Sequence, residues 1–95
     1  MAVPARTLQE LRTSLAANEV LAEAKRFFPD RAPLYASFVD KEGPGFCTFR
    51  GQGGEEIALA VSPIDGGTLV TGSTYLFDMQ LARFLSTLPE LPAAR

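Results

Sequence analysis

The 95-residue chain carries nine Lys and Arg against eleven Asp and Glu, contains no histidine and has one cysteine. Its length fits one domain, and the lack of histidine excludes Ser-His-Asp and Cys-His catalysis, histidine-ligated metals and a histidine pH switch. With a net charge of −2 and no basic stripe, we expect neither double-stranded nucleic acid nor an anionic membrane as a partner.

Residues 7–28 show two helical patterns in succession. Residues 7–10 fit a capping box, and they overlap a stripe of leucines at a spacing typical of one helix face: Leu8, Leu11 and Leu15. A second stripe covers residues 20–28 and ends before Pro29. At about 100° per residue, the two stripes point in roughly opposite directions. Either the helix breaks near Asn18, or one long helix buries its two ends against different partners.

Residues 34–71 alternate between β-branched or aromatic runs and short turns. The predicted strands are residues 34–39, 46–50, 55–62 and 68–71, and the turns between them are rich in glycine and proline. Turns this short require antiparallel neighbours. We therefore predict a four-stranded antiparallel meander.

The chain ends in a predicted amphipathic helix. The apolar face of this helix comprises Phe77, Leu81, Phe84, Leu85 and Leu88. Ser73, Thr74 or Asp78 can each cap its start, and Pro89 ends it. The whole pattern predicts a two-layer α+β domain over residues 7–89 in the order α-β-β-β-β-α, with a flexible tail at 1–6 and a frayed tail at 90–95.

Both faces of the predicted sheet carry apolar residues. If two helices cover one face, the other keeps small and apolar side chains in water, which small monomers rarely do. We therefore predict a non-enzymatic interaction module that self-associates as a homodimer or higher oligomer. A different protein partner, or a tolerated exposed face of small residues, is the alternative. The predicted interface residues are Leu8, Leu11, Leu15, Ala58 and Ala60.

The seven phenylalanines support a second hypothesis, a small apolar ligand held between the sheet and the C-terminal helix. The predicted lining is Phe38, Phe49, Phe77 and Phe84, and simple core packing is the alternative. An enzyme, the third hypothesis, needs Tyr35 or Tyr75 beside a carboxylate in a pocket. We expect no cofactor, because the glycine-rich residues 51–54 lead into a strand and lack the lysine of a phosphate-binding loop. We also expect no metal, because Asp40, Glu42 and Asp65, which the meander brings towards one end of the sheet, occupy turn positions typical of solvated acids.

Cys47 bears on the cellular compartment. One cysteine cannot form a disulfide within the chain, and a mid-strand position without a neighbouring cation predicts a buried, inert thiol. No apolar run has the length of a membrane span, and residues 1–6 lack the apolar centre of a signal peptide. We expect a cytoplasmic protein.

Overall fold

The fold is built on a five-stranded antiparallel sheet with two helices on one face. The computed structural model describes residues 6–92, and the strand order is β1-β5-β4-β3-β2. The elements are β1 (Thr7–Thr13), α1 (Ala17–Phe27), β2 (Ser37–Gly43), β3 (Phe46–Gly51), β4 (Glu56–Ile64), β5 (Gly67–Tyr75) and α2 (Asp78–Ser86). The α+β class, the meander of β2 to β5 and the C-terminal helix are as predicted.

The prediction of four strands is wrong by one, because residues 7–13 form a strand rather than a helix. β1 pairs with β5 along its whole length, from Thr7 opposite Thr74 to Thr13 opposite Thr68. Pairing with β5 satisfies the backbone groups of this segment, and such tertiary pairing outweighs a modest local helix preference. In a strand, residues three positions apart lie on opposite faces of the sheet, so Leu8 and Leu11 point in opposite directions.

The break expected near Asn18 is present, but it separates a strand from a helix. The Glu19 carboxylate accepts a hydrogen bond from the backbone N–H of Ala16 at 2.8 Å, which is the reciprocal half of a capping box. α1 therefore begins at Ala17, and Asn18 lies inside the helix rather than at its cap.

Two other boundaries follow from local hydrogen bonds. Tyr35 donates its backbone N–H to the carbonyl of Ala32 at 2.7 Å, so the residues predicted to start the first strand of the meander form a turn instead. α2 begins at Asp78 and its N-cap is Phe77, so none of the three predicted residues occupies the cap position. Just before the helix, the backbone N–H of Phe77 donates to the Thr74 hydroxyl at 3.2 Å.

The core lies between the helices and the sheet. The ring of Phe28 stands 4.8 Å from that of Phe49 and 5.1 Å from that of Phe84, measured between centroids. All three side chains are fully buried, and so is Cys47. Burial raises the pKa of the Cys47 thiol, in agreement with the buried thiol that the sequence predicts.

After α2 the chain returns to the outer edge of β1. The carbonyl of Pro89 accepts hydrogen bonds from the backbone N–H of Ser14 at 3.3 Å and from the Thr13 hydroxyl at 2.7 Å. The backbone N–H of Leu91 donates to the carbonyl of Arg12 at 2.8 Å. These bonds cover one end of the β1 edge. Residues 1–5 and 93–95, which hold most of the two predicted tails, lie outside the described residues.

Candidate interaction surface

One face of the sheet has no covering element in the described part of the chain. Five strands about 4.8 Å apart span roughly 20 Å, which two helices about 10 Å in diameter can cover on one side only. We call the uncovered side the open face. Strand register and alternation place the following side chains on it: Leu8 of β1, Tyr75 of β5, Ala58 and Ala60 of β4, Phe46 of β3 and Phe38 of β2.

The centre of the open face is flat, because its side chains are small. Ala58, on the central strand, pairs with Ser73 on one side and Thr48 on the other, and Ala60 pairs with Thr71. Small side chains in the middle of a sheet allow a second sheet to pack about 10 Å away.

Large apolar side chains stand at the two edges of the open face. Leu8 is 70% exposed at the β1 edge, whereas Phe38 and Phe46 are 60% and 42% exposed on β2 and β3. Beside Phe38 a hollow of about 570 Å³ opens between β2 and the loop before it, and Pro33 and Val39 form part of its wall. Large exposed apolar side chains therefore flank the flat centre on both sides, and the hollow lies at the β2 edge, where charged side chains also line it.

A row of paired charges crosses one end of the open face. Arg6 Nη1 lies 2.6 Å from Glu56 Oε1, and Arg50 Nη2 lies 3.7 Å from Glu56 Oε2 and 3.3 Å from Asp40 Oδ2. Arg6 also donates to the Ser73 hydroxyl at 3.1 Å. Because these side chains are partly exposed, each pair contributes less than about 1 kcal/mol. Together they neutralise one another and fix the side chains in a row.

The free edge of β2 is poorly suited to pairing with another strand. A bulge interrupts its register between Val39 and Lys41, and three consecutive charged residues occupy positions 40–42. Bulges and charges are the usual devices that keep an edge strand from adding a neighbour. Contact through the face is therefore favoured over contact through this edge.

The structure brings together three of the five predicted interface residues. Leu8, Ala58 and Ala60 share the open face. Leu11 points to the helix side of the sheet, and both Leu11 and Leu15 are partly buried against the core. Phe46 was absent from the predicted interface. The register of the meander, which pairs Phe46 with Ala60, is the signal that would have placed it there.

The four residues predicted to line an apolar cavity are divided between two places. Phe49, Phe77 and Phe84 are buried in the core, and Phe28 fills the space between Phe49 and Phe84. Phe38 lies on the open face, on the other side of the sheet. Phe49 and Phe84 serve core packing, and Phe77 also lines a groove on the surface beside the start of α2.

The residues considered for acid–base chemistry are also divided. Tyr35 and Asp78 line one groove beside the start of α2, but no hydrogen bond joins them, and Tyr75 lies on the open face. This pair by itself defines no catalytic centre, which needs a positioned donor and acceptor. Within residues 6–92, no three acidic or cysteine side chains are grouped to hold a metal ion, and neither helix has the length and hydropathy to cross a membrane.

Comparison of the chain with protein-family models, with curated proteins and with solved structures finds no match. The geometry of the surface is therefore the basis on which a function is proposed.

Proposed function

We propose that the chain is a non-enzymatic interaction module that forms a homodimer by packing the open face of one copy against that of another. One observation supports this most directly. The centre of the open face, at Ala58 and Ala60, is flat and uncovered, and it is surrounded by the exposed side chains of Leu8, Phe38 and Phe46. Exposed apolar faces of this kind mark interaction sites in small proteins.

The area of the face suits a dimer. Five strands at 4.8 Å spacing and nine-residue central strands rising 3.3 Å per residue give about 20 by 30 Å. The projected area is thus about 600 Å² per copy, and accessible area exceeds projected area. Standard interfaces bury about 800 Å² per partner.

The shape of the face is complementary to itself. A two-fold axis parallel to the strands through β4 would place Ala58 and Ala60 against the same residues of the second copy. It would also lay β1 of each copy over β2 of the other. Successive strand pairings place Leu8 level with Lys41 across the sheet, and Phe38 lies in the neighbouring row of paired residues. Leu8 of one copy would therefore lie over Lys41 of the second copy and beside its Phe38, twice per dimer.

The test is the solution mass of the untagged chain and of two matched variants, measured by sedimentation equilibrium. We expect the wild type at twice the 10.2 kDa of one chain. Ala60→Arg places a charge at the centre of the face and should yield a monomer with unchanged far-ultraviolet circular dichroism. Ala82→Arg makes the same substitution at an exposed site on α2 and should leave the dimer intact.

Leu8→Asp at the edge provides a second, independent perturbation of the same contact. A wild-type monomer at high micromolar concentration, or an Ala60→Arg variant with the wild-type mass, would refute the proposal. A cytoplasmic location is part of the same proposal and is supported by the single free cysteine, Cys47; imaging of the tagged chain in its own cells tests it.

A further inference from the structure

A second surface feature lies on the helix side of the sheet, away from the open face. It is a groove of about 470 Å³ between the loop that contains Tyr35 and the start of α2. Leu76 and Met79, on its wall, are 62% and 68% exposed, and Tyr35 is 49% exposed. Its volume falls in the range of small-molecule sites, about 300 to 1,000 Å³.

The backbone at Leu76 is strained in a way that presents its side chain to the groove. Leu76 has a φ of 76°, and it is the one non-glycine residue with a positive φ in the described part of the chain. The hydrogen bond from the backbone N–H of Phe77 to the Thr74 hydroxyl holds the turn on which Leu76 sits. Residues that keep such a conformation despite its cost cluster at ligand sites.

Two arginines on the wall supply positive charge. The Arg31 guanidinium is fixed in place, since its Nε donates to the carbonyl of Phe27 at 3.1 Å and its carbon lies 4.0 Å above the Phe27 ring. Its Nη groups make no hydrogen bond within residues 6–92. Arg83 extends from the same helix as Met79, four residues later, and neither arginine forms an ion pair with a described carboxylate. Asp78 is the acidic residue on the wall.

We propose that this groove binds a small amphipathic carboxylate, whose charged group pairs with Arg31 and Arg83 and whose apolar body lies on Leu76, Met79 and Tyr35. Charge complementarity selects an anion, because the wall holds two arginines without an ion pair in the described residues against one acidic residue, and guanidinium groups bind carboxylates with two parallel hydrogen bonds. The exposed apolar side chains select a ligand with a hydrocarbon or aromatic body. The groove lies apart from the small-residue centre of the open face, and Arg31 lines both the groove and the hollow beside Phe38.

The test is a titration of the ¹⁵N-labelled full chain with dodecanoate below its critical micelle concentration, followed by amide chemical shifts. Dodecyltrimethylammonium has a chain of the same length but the opposite charge, and it serves as the ligand control. We expect dodecanoate to shift the amides of Arg31, Ala32 and Tyr35 and of residues 76–83, and the cation to leave them in place.

Three variants locate the site. Arg31→Gln combined with Arg83→Gln should weaken dodecanoate binding about tenfold or more, the effect of losing two partly exposed charge pairs. Arg26→Gln, an exposed arginine that does not line the groove, is the control and should bind as the wild type does. Leu76→Gly relieves the strained backbone while removing an apolar contact, so we expect it to unfold at a higher temperature and to bind dodecanoate more weakly.

Four results would each overturn the proposal. They are equal binding of the two amphiphiles, chemical-shift changes confined to the open face, an absence of binding, and a double variant that binds dodecanoate as tightly as the wild type. If the double variant fails to fold, Leu76→Gly alone decides, since a more stable variant with undiminished affinity contradicts the apolar contact.

Discussion

Phe28 and Phe46 are a pair of phenylalanines with which folding can be separated from association. Phe28 is fully buried between Phe49 and Phe84, whereas Phe46 is 42% exposed on the open face. We expect Phe28→Ala to lower the free energy of unfolding by about 3 to 5 kcal/mol, because it leaves a cavity in the core. Phe46→Ala should lower the stability of one copy by only about 1 to 2 kcal/mol, because one copy covers little more than half of the residue.

The effect of Phe46 on association can be worked from its exposed area. A phenylalanine presents about 200 Å², so 42% exposure leaves about 80 Å² in water. Complete burial in a dimer would contribute at most about 2 kcal/mol per copy at 25 cal/mol per Å². Only part of such area converts to affinity. If half does, the two copies together contribute about 2 kcal/mol, which corresponds to about a thirtyfold change in Kd.

Two measurements distinguish the two effects. Urea unfolding followed by circular dichroism at two protein concentrations reports stability, and the midpoint of an associating protein rises with concentration. Sedimentation velocity reports Kd. We expect Phe46→Ala to weaken the dimer and to reduce the concentration dependence of the midpoint. A Kd within a factor of two of the wild type, with a midpoint that still depends on concentration, would refute the assignment of Phe46 to the interface.

Three further predictions test the fold. At Gly67 an added Cβ would lie 1.9 Å from the carbonyl oxygen of Thr13, so Gly67→Ala should lower the unfolding free energy by at least about 2 kcal/mol. Gly45→Ala is the control, because its added Cβ would make an ordinary 3.6 Å contact and should cost little. Equal losses of stability in the two variants would contradict this packing. The Ser37 hydroxyl is buried and has no hydrogen-bond partner among residues 6–92. Ser37→Ala should therefore keep the stability or raise it by up to about 1 kcal/mol in urea unfolding, and a clear loss would contradict this. Because burial raises the pKa of the Cys47 thiol in the folded chain, the thiol of the unfolded chain loses its proton at a lower pH. The contribution of the neutral thiol to stability should therefore be complete below about pH 8.5 and fall as the pH rises further. A difference in unfolding free energy between wild type and Cys47→Ala that stays constant from pH 7 to 10 would count against this.

The meander was predictable because its signals are local. Alternating β-branched and apolar residues define the strands, and glycine- and proline-rich turns as short as those at 43–46 and 64–67 permit only antiparallel neighbours. The C-terminal helix was predictable for the same reason, since its apolar stripe repeats at helical spacing. Its first residue was not, because the choice between strand and helix at Tyr75 depends on pairing with Glu56 on another strand.

β1 could not be predicted from local pattern, because its partner lies near the other end of the chain. Residues 7–13 carry a capping-box pattern and leucines at helical spacing, and these signals point away from the structure that forms. Their backbone groups are paired with β5 through seven successive residue pairs, from Thr7 opposite Thr74 onward. A sequence pattern contains no information on such a contact unless the whole sheet is first assembled.

The unexpected strand also changes what the proposed interface requires. As a helix, residues 7–15 would have presented a leucine stripe separate from the sheet, and self-association would have needed two unrelated surfaces. As a strand, the segment turns Leu11 inward against the core and leaves Leu8 on the open face, at the edge opposite Phe38. Leu8, Phe38 and Phe46 thus lie on one surface with a small-residue centre. One two-fold contact can therefore cover them, and Ala60→Arg at its centre tests the whole surface at once.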